Sequence, residues 1–140
     1  MQKSELTYLV DDDSIYVFMA RRALEKTGLA GKIEVYTDGK AAFDALRLRI
    51  EQGLAQPDVI FLDLNMPIWD GWDFLDEIQK LPVRLSSRIF IVSSSNYPED
   101  LKRAEDYVNL SGFLNKPVPE EQIRSILLGD SSQHRKTVSQ

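Results

Sequence analysis

The chain has no cysteine, so disulfides and thiolate metal centres are excluded and a reducing compartment is the natural setting. It has one histidine, His134, which lies in a polar C-terminal stretch and is expected to be inert. It has no basic excess: 17 Lys and Arg stand against 22 Asp and Glu, a net charge of −5. That balance argues against direct DNA binding, which draws on clustered positive charge. No apolar run approaches the roughly 20 residues that span a bilayer. Met1–Glu5 is short and polar and has no apolar core of the kind a secretory signal needs. Internal repeats and a second domain are also missing. A cytoplasmic, single-domain protein without membrane contact is therefore expected over residues 5–128, with a polar, disordered tail over 129–140.

What is present is an alternation of strand-like and helix-like segments, repeated five times. The expected strands are Leu6–Val10, Ile33–Tyr36, Val59–Leu62, Ile89–Val92 and Gly112–Asn115. Val59–Leu62 and Ile89–Val92 are apolar throughout, as strands buried on both faces are. Asp13 or Ser14 can cap the first helix, with Ile15, Phe18, Met19 and Ala23 as its apolar face and Gly28 and Gly31 ending it. A second helix starts near Asp38 and carries Phe43, Leu46 and Ile50 on one side. A third follows Gly71 and runs to about Lys80, with Leu75 and Ile78 inward. Pro98 opens a fourth, carrying Leu101, Ala104 and Tyr107, and Pro119 a fifth, carrying Ile123, Ile126 and Leu127. Alternation of this kind predicts a parallel sheet between two helical layers. The expected fold is a flavodoxin-like (βα)5 three-layer α/β sandwich with strand order 2-1-3-4-5.

Four of the strands stop on residues that can handle phosphate or metal. The first runs into Asp11 and Asp12, the third into Asp63, the fourth into Ser93 and the fifth into Lys116. Ligands of open α/β sheets bind beyond the carboxyl ends of the strands, at the switch point between strands 1 and 3. Three carboxylates in one crevice repel each other unless protonated or neutralised by a cation. An all-oxygen donor set selects a hard ion, foremost Mg²⁺, which keeps waters and takes substrate phosphate as a further ligand. Such a site suits phosphoryl transfer, and an aspartate can itself be the nucleophile. Ser93 and Lys116 could each hold a phosphoryl oxygen. Asp13 is better read as a helix cap than as part of the site. Trp72 is expected to be partly core, and Trp69 to be exposed and available to a partner.

The segments Leu9-Val10-Asp11-Asp12, Asp63-Leu64-Asn65-Met66-Pro67 with Asp70-Gly71, Val92-Ser93-Ser94 and Lys116-Pro117 together resemble the signature of response-regulator receiver domains. The likeness covers roughly Glu5 to Leu128 and points to a stand-alone, chemotaxis-regulator-like member. It implies that Asp63 accepts a phosphoryl group from a histidine kinase or phosphotransfer protein. It implies that Asp12, Asp63 and the backbone carbonyl of Asn65 bind Mg²⁺, with Asp11 acting through a water on the ion. Ser93 and Lys116 would ligate the phosphoryl group, Phe113 would sit at the aromatic switch position, and the Lys116–Pro117 bond would be cis. Gly71 would be structural. Output would pass through helix 4, strand 5 and helix 5 to a protein target, so the module would signal rather than turn over substrate. Three features depart from the commonest pattern: Ser93 replaces threonine, Phe113 has no phenolic oxygen, and Glu51–Pro57 is a few residues longer than in compact family members. The competing readings are a small haloacid-dehalogenase-like phosphatase with Asp11 as nucleophile, and a receiver that binds a partner without being phosphorylated.

Overall fold

Val59–Leu62 lies at the centre of the molecule, and no residue of it is exposed. The computed structural model describes residues 4–94 and 97–129. The expected tail therefore falls, apart from Gly129, outside the described residues, as does His134.

Among the described residues, five strands and five helices alternate. They are β1 (Ser4–Val10), α1 (Ser14–Lys26), β2 (Ala30–Tyr36), α2 (Gly39–Glu51), β3 (Val59–Leu62), α3 (Gly71–Ile78), β4 (Arg88–Ser93), α4 (Pro98–Ala104), β5 (Leu110–Asn115) and α5 (Glu120–Leu127). All ladders are parallel, in the order β2-β1-β3-β4-β5. This is the expected doubly wound sheet, with its switch point between β1 and β3. No helix among the described residues is long and apolar enough to cross a membrane.

The side-chain period of two divides each central strand between two apolar layers. Tyr8, Val10, Ile60, Leu62, Ile89 and Ile91 face one layer, which α2 and α3 complete through Leu46, Phe74 and Leu75. Leu9, Val59, Phe61, Phe90 and Val92 face the other, completed by α1 and α5 through Leu24, Ile123 and Ile126. β2 is an edge, and its residues are half-buried at best. That agrees with the polar interruption at Glu34.

The face of α1 departs from expectation. Ile15, Phe18 and Met19 are exposed, whereas Ala20 and Leu24 are buried and Tyr16, Val17 and Ala23 are partly so. Positions 15 to 20 are apolar all round the helix, so periodicity offers two stripes there. Leu24 decides between them, because only the stripe through Tyr16 and Ala20 extends to it. Several ends also differ. β1 starts two residues early, where the Asp58 carboxylate accepts the N–H groups of Glu5 and Leu6. β2 starts at Ala30, pairing with Ser4, so Gly31 is a strand residue and Gly28, at φ 70°, makes the turn alone. α4 stops at Ala104, and buried Tyr107 lies beyond it, its hydroxyl donating to Asp76 of α3.

Candidate functional site

The sheet hydrogen bonds continue one residue past β1 and β3 and fix the acids. The N–H of Asp11 donates to the Tyr36 carbonyl at 2.9 Å, and that of Asp63 to the Val10 carbonyl at 2.9 Å. Both residues are nearly sealed, at 4% and 6% exposure, while Asp12 is exposed. Asp11, Asp12 and Asp63 bring a carboxylate oxygen each within 4.8 Å of one another. Asp13 turns away as the α1 cap, its Oδ1 accepting from the N–H groups of Ile15 and Tyr16. Its own N–H donates to Asp11 Oδ1 at 2.9 Å.

Lys116 closes the crevice from β5. Its N–H donates to the Ser93 carbonyl at 2.9 Å, which ties the ends of β4 and β5 together. Its Nζ lies 2.8 Å from Asp11 Oδ2 and 3.7 Å from Asp63 Oδ1. The Lys116–Pro117 peptide is cis. Ser93 is fully buried at the end of β4. Phe113 is half-buried against the layer that α2 and α3 cover. One lysine does not neutralise three carboxylates. Burial, and then the charge of Asp11, push the Asp63 carboxyl up to about 6, while Lys116 and the N–H groups of Leu64 and Asn65 pull it back. The sealed, uncompensated charge and the all-oxygen donors fit a divalent hard cation.

The loop between β3 and α3 is shaped by close approach. The Gly71 N–H donates to the Leu64 carbonyl at 3.0 Å. Asp70 and Asp73 form a reciprocal cap on α3, with distances of 2.8 and 3.0 Å. Ile68 holds φ 66° and is exposed. The left-handed region is costly for a β-branched residue, so strain is stored within a few residues of Asp63. Trp69 is not the exposed contact its sequence position suggests. It is half-buried, 5.3 Å from the Phe43 ring, and its carbonyl accepts the Gly39 N–H at 2.9 Å. Trp72 is buried as expected, stacked on Tyr107 at 5.5 Å.

Sequence reasoning missed two features. One is the bare apolar face of α1 beside the acids. The other is Tyr16, whose ring centroid lies 4.5 Å from Lys116 Nζ. An aromatic at helical spacing reads as core, and only the β5 geometry reveals what it touches.

The family model described as "Response regulator receiver domain" matches residues 7–128. A probable methanogenesis regulatory protein, FilR2 of Methanothrix harundinacea, is 34% identical over 117 residues, covering 83% of this chain and 74% of its own. The two-component response regulator ORR41 of Oryza sativa is 29% identical over 119 residues, covering 85% and 88%. Among solved structures, a two-component response regulator from Cytophaga hutchinsonii superposes with a TM-score of 0.82 at 27% identity, over 95% of this chain and 100% of that one. The phosphorylated cyanobacterial phytochrome response regulator RcpA gives 0.72 at 25% identity, over 89% of each chain. With a family model matching residues 7–128 and three acids and a lysine from its strand ends gathered in one crevice, the chain belongs to the response regulator receiver domain family and is a receiver module of two-component signalling.

Proposed function

We propose that this receiver accepts a phosphoryl group on Asp63 from the phosphohistidine of a sensor kinase or phosphotransfer protein, in a Mg²⁺-dependent step. The observation that carries the reading is the gathering of Asp11, Asp12, Asp63 and Lys116 at one crevice. The solved relative RcpA, described as phosphorylated, supports it.

Asp11, Asp12, Asp63 and the backbone carbonyl of Asn65 would hold the ion. Once bound, it supplies positive charge against the phosphoryl oxygens. An Asp63 carboxylate oxygen attacks phosphorus. The phosphorus–nitrogen bond of the donor breaks, and its electron pair stays on the imidazole, which takes up a proton. Ser93 and Lys116 each receive a phosphoryl oxygen, drawing the ends of β4 and β5 towards Asp63. Phe113, partly buried beside that end of β5, would follow the movement. The exposed side of α4, with Glu99, Lys102 and Arg103, and Asp106 just beyond it, then presents the changed surface, together with β5 and α5, to a protein target. Such a protein works by state rather than by turnover, in the cytoplasm.

The phosphatase reading is not favoured. It leaves the buried Asp63 carboxylate, gathered with Asp11, Asp12 and Lys116, without a role. The test is intact mass after treatment with a small phosphodonor and Mg²⁺. One added phosphoryl group is expected, mapping to Asp63; an unmodified chain, or a group mapping elsewhere, would sink the reading.

The donor protein has a surface to rest on. Ile15, Phe18 and Met19 form an exposed apolar stripe on α1, one turn from Asp12, with the Arg22 guanidinium 5.6 Å above the Phe18 ring. Contiguous exposed apolar area marks interaction sites. Phe18→Glu is therefore expected to slow transfer from the cognate kinase by about tenfold or more. The loss should be confined to the protein donor, which rate measurements with kinase and with a small phosphodonor will check.

A further inference from the structure

Tyr16 takes no part in the metal and phosphate assignments above, yet it sits inside the site. Its backbone N–H donates to the Asp13 cap at 3.1 Å, which anchors it in the first turn of α1. Its half-buried ring lines a small apolar cavity with Leu9, Phe61 and Val118. Lys116 Nζ stands over that ring, 4.5 Å from its centroid. The Lys116 side chain is only 14% exposed, and its ammonium is bordered by the ring, by Asp11 at 2.8 Å and by Asp63 at 3.7 Å. Burial, and then the charges of Asp11 and Asp63, push the phenol far above its usual range, so it stays neutral.

In the resting protein the ammonium belongs chiefly to Asp11. To meet a phosphoryl oxygen on Asp63 it must shift away from that carboxylate. A hydrogen-bond partner is directional, so such a shift would cost the bond. Attraction to an aromatic face depends on distance from the π surface, and it survives displacement of the order of an ångström. We propose that Tyr16 is a positioning residue for Lys116, its ring face holding the ammonium as it passes from Asp11 to the phosphoryl group. This rests on the reading that Asp63 is phosphorylated, and it adds a residue on α1 to a site otherwise built from strand ends. The bland alternative is that Tyr16 only fills the cavity between α1 and α5.

Leucine and phenylalanine both fill that cavity, but only phenylalanine keeps a ring face. Phosphorylation rates of the full chain with a small phosphodonor and Mg²⁺ would be compared for wild type, Tyr16→Leu and Tyr16→Phe, each also with Lys116→Met. Tyr16→Leu is expected to be about tenfold slower, with Tyr16→Phe recovering to within about twofold of wild type. With Lys116→Met in place the two should be equal. A wild-type rate in Tyr16→Leu would overturn the proposal. So would a Tyr16→Phe rate as low as that of Tyr16→Leu, or a leucine-specific loss that persists without Lys116. A second readout needs no phosphorylation. Acetylation of Lys116 by a limiting acylating reagent, mapped by peptide mass, should rise several-fold in Tyr16→Leu and not in Tyr16→Phe; equal reactivity in all three would overturn the contact. If wild type takes up no phosphate, the proposed function fails, and this second comparison still decides the role of Tyr16.

Discussion

Replacing Asp63 by asparagine is expected to abolish phosphoryl uptake and, at the same time, to stabilise the resting, metal-free protein. Loss of the nucleophilic oxygen removes the acceptor, so intact mass should show no added phosphoryl group. The gain in stability follows from linkage. Asp63 in the folded chain keeps its proton up to about pH 6, against an ordinary value of 3.8. Between those values the native state binds more protons than the unfolded state. The contribution of this group therefore falls as pH rises through that window, and its cost is fully present above about pH 6. The shift corresponds to a cost of at most about 3 kcal/mol at neutral pH. A neutral amide in its place would carry none of it, so the variant's advantage should appear at pH 7 and vanish near pH 4. A cation bound to the native state alone stabilises by mass action. Mg²⁺ should accordingly raise the melting temperature of wild type and much less that of the variant. Thermal unfolding at pH 4 and pH 7, with and without Mg²⁺, checks each part. A variant melting below wild type at pH 7 without Mg²⁺ would contradict the electrostatic account.

Gly71→Ala is the second large effect expected, and it acts through the backbone. A Cβ at this position would lie 2.6 Å from the Asp63 carbonyl oxygen and 3.0 Å from the Leu64 Cα. Neither atom is the end of a flexible side chain, so α3 or the end of β3 must move. Overpacking against side chains costs about 1–3 kcal/mol. Against main chain, a loss near the top of that range, about 3 kcal/mol, is expected, which lowers the melting temperature by roughly 10 °C. The displacement also falls on Asp63, the proposed acceptor, so Mg²⁺ affinity should weaken together with stability. Urea unfolding and Mg²⁺ titration of the same sample test the two together. An alanine variant with wild-type stability would show that the close approach is not binding on the chain.

Much of this architecture was legible in the residues. Val59–Leu62 and Ile89–Val92 can only be buried strands, and the acids that follow β1 and β3 locate the crevice. Asp13, Asp38 and Asp70 cap α1, α2 and α3, each accepting backbone N–H groups as short acidic side chains do. The face of α1 was not legible, because the unbroken apolar run from Ile15 to Ala20 satisfies two stripes at once. Nor was the left-handed conformation of Ile68, since a β-branched side chain argues against it and only the surrounding loop imposes it. Trp69 was misjudged for a related reason. It follows an exposed, strained residue, but the backbone bond from Gly39 turns its indole towards Phe43. The contact of Tyr16 with Lys116 joins the first turn of α1 to the end of β5, a separation no local pattern reports.

The strand order bears on how the chain assembles. Every neighbouring pair in the sheet joins strands adjacent in sequence, except β1 with β3, where Thr7 meets Val59 across the whole of α1, β2 and α2. That closure spans the longest loop in the ladder, so it carries the largest entropic cost. It divides the molecule into an amino-terminal piece and a carboxy-terminal piece that meet along one seam. Asp11 and Asp12 come from the first piece and Asp63 and Lys116 from the second. The crevice lies on that seam, so neither piece alone brings Asp11, Asp12, Asp63 and Lys116 together.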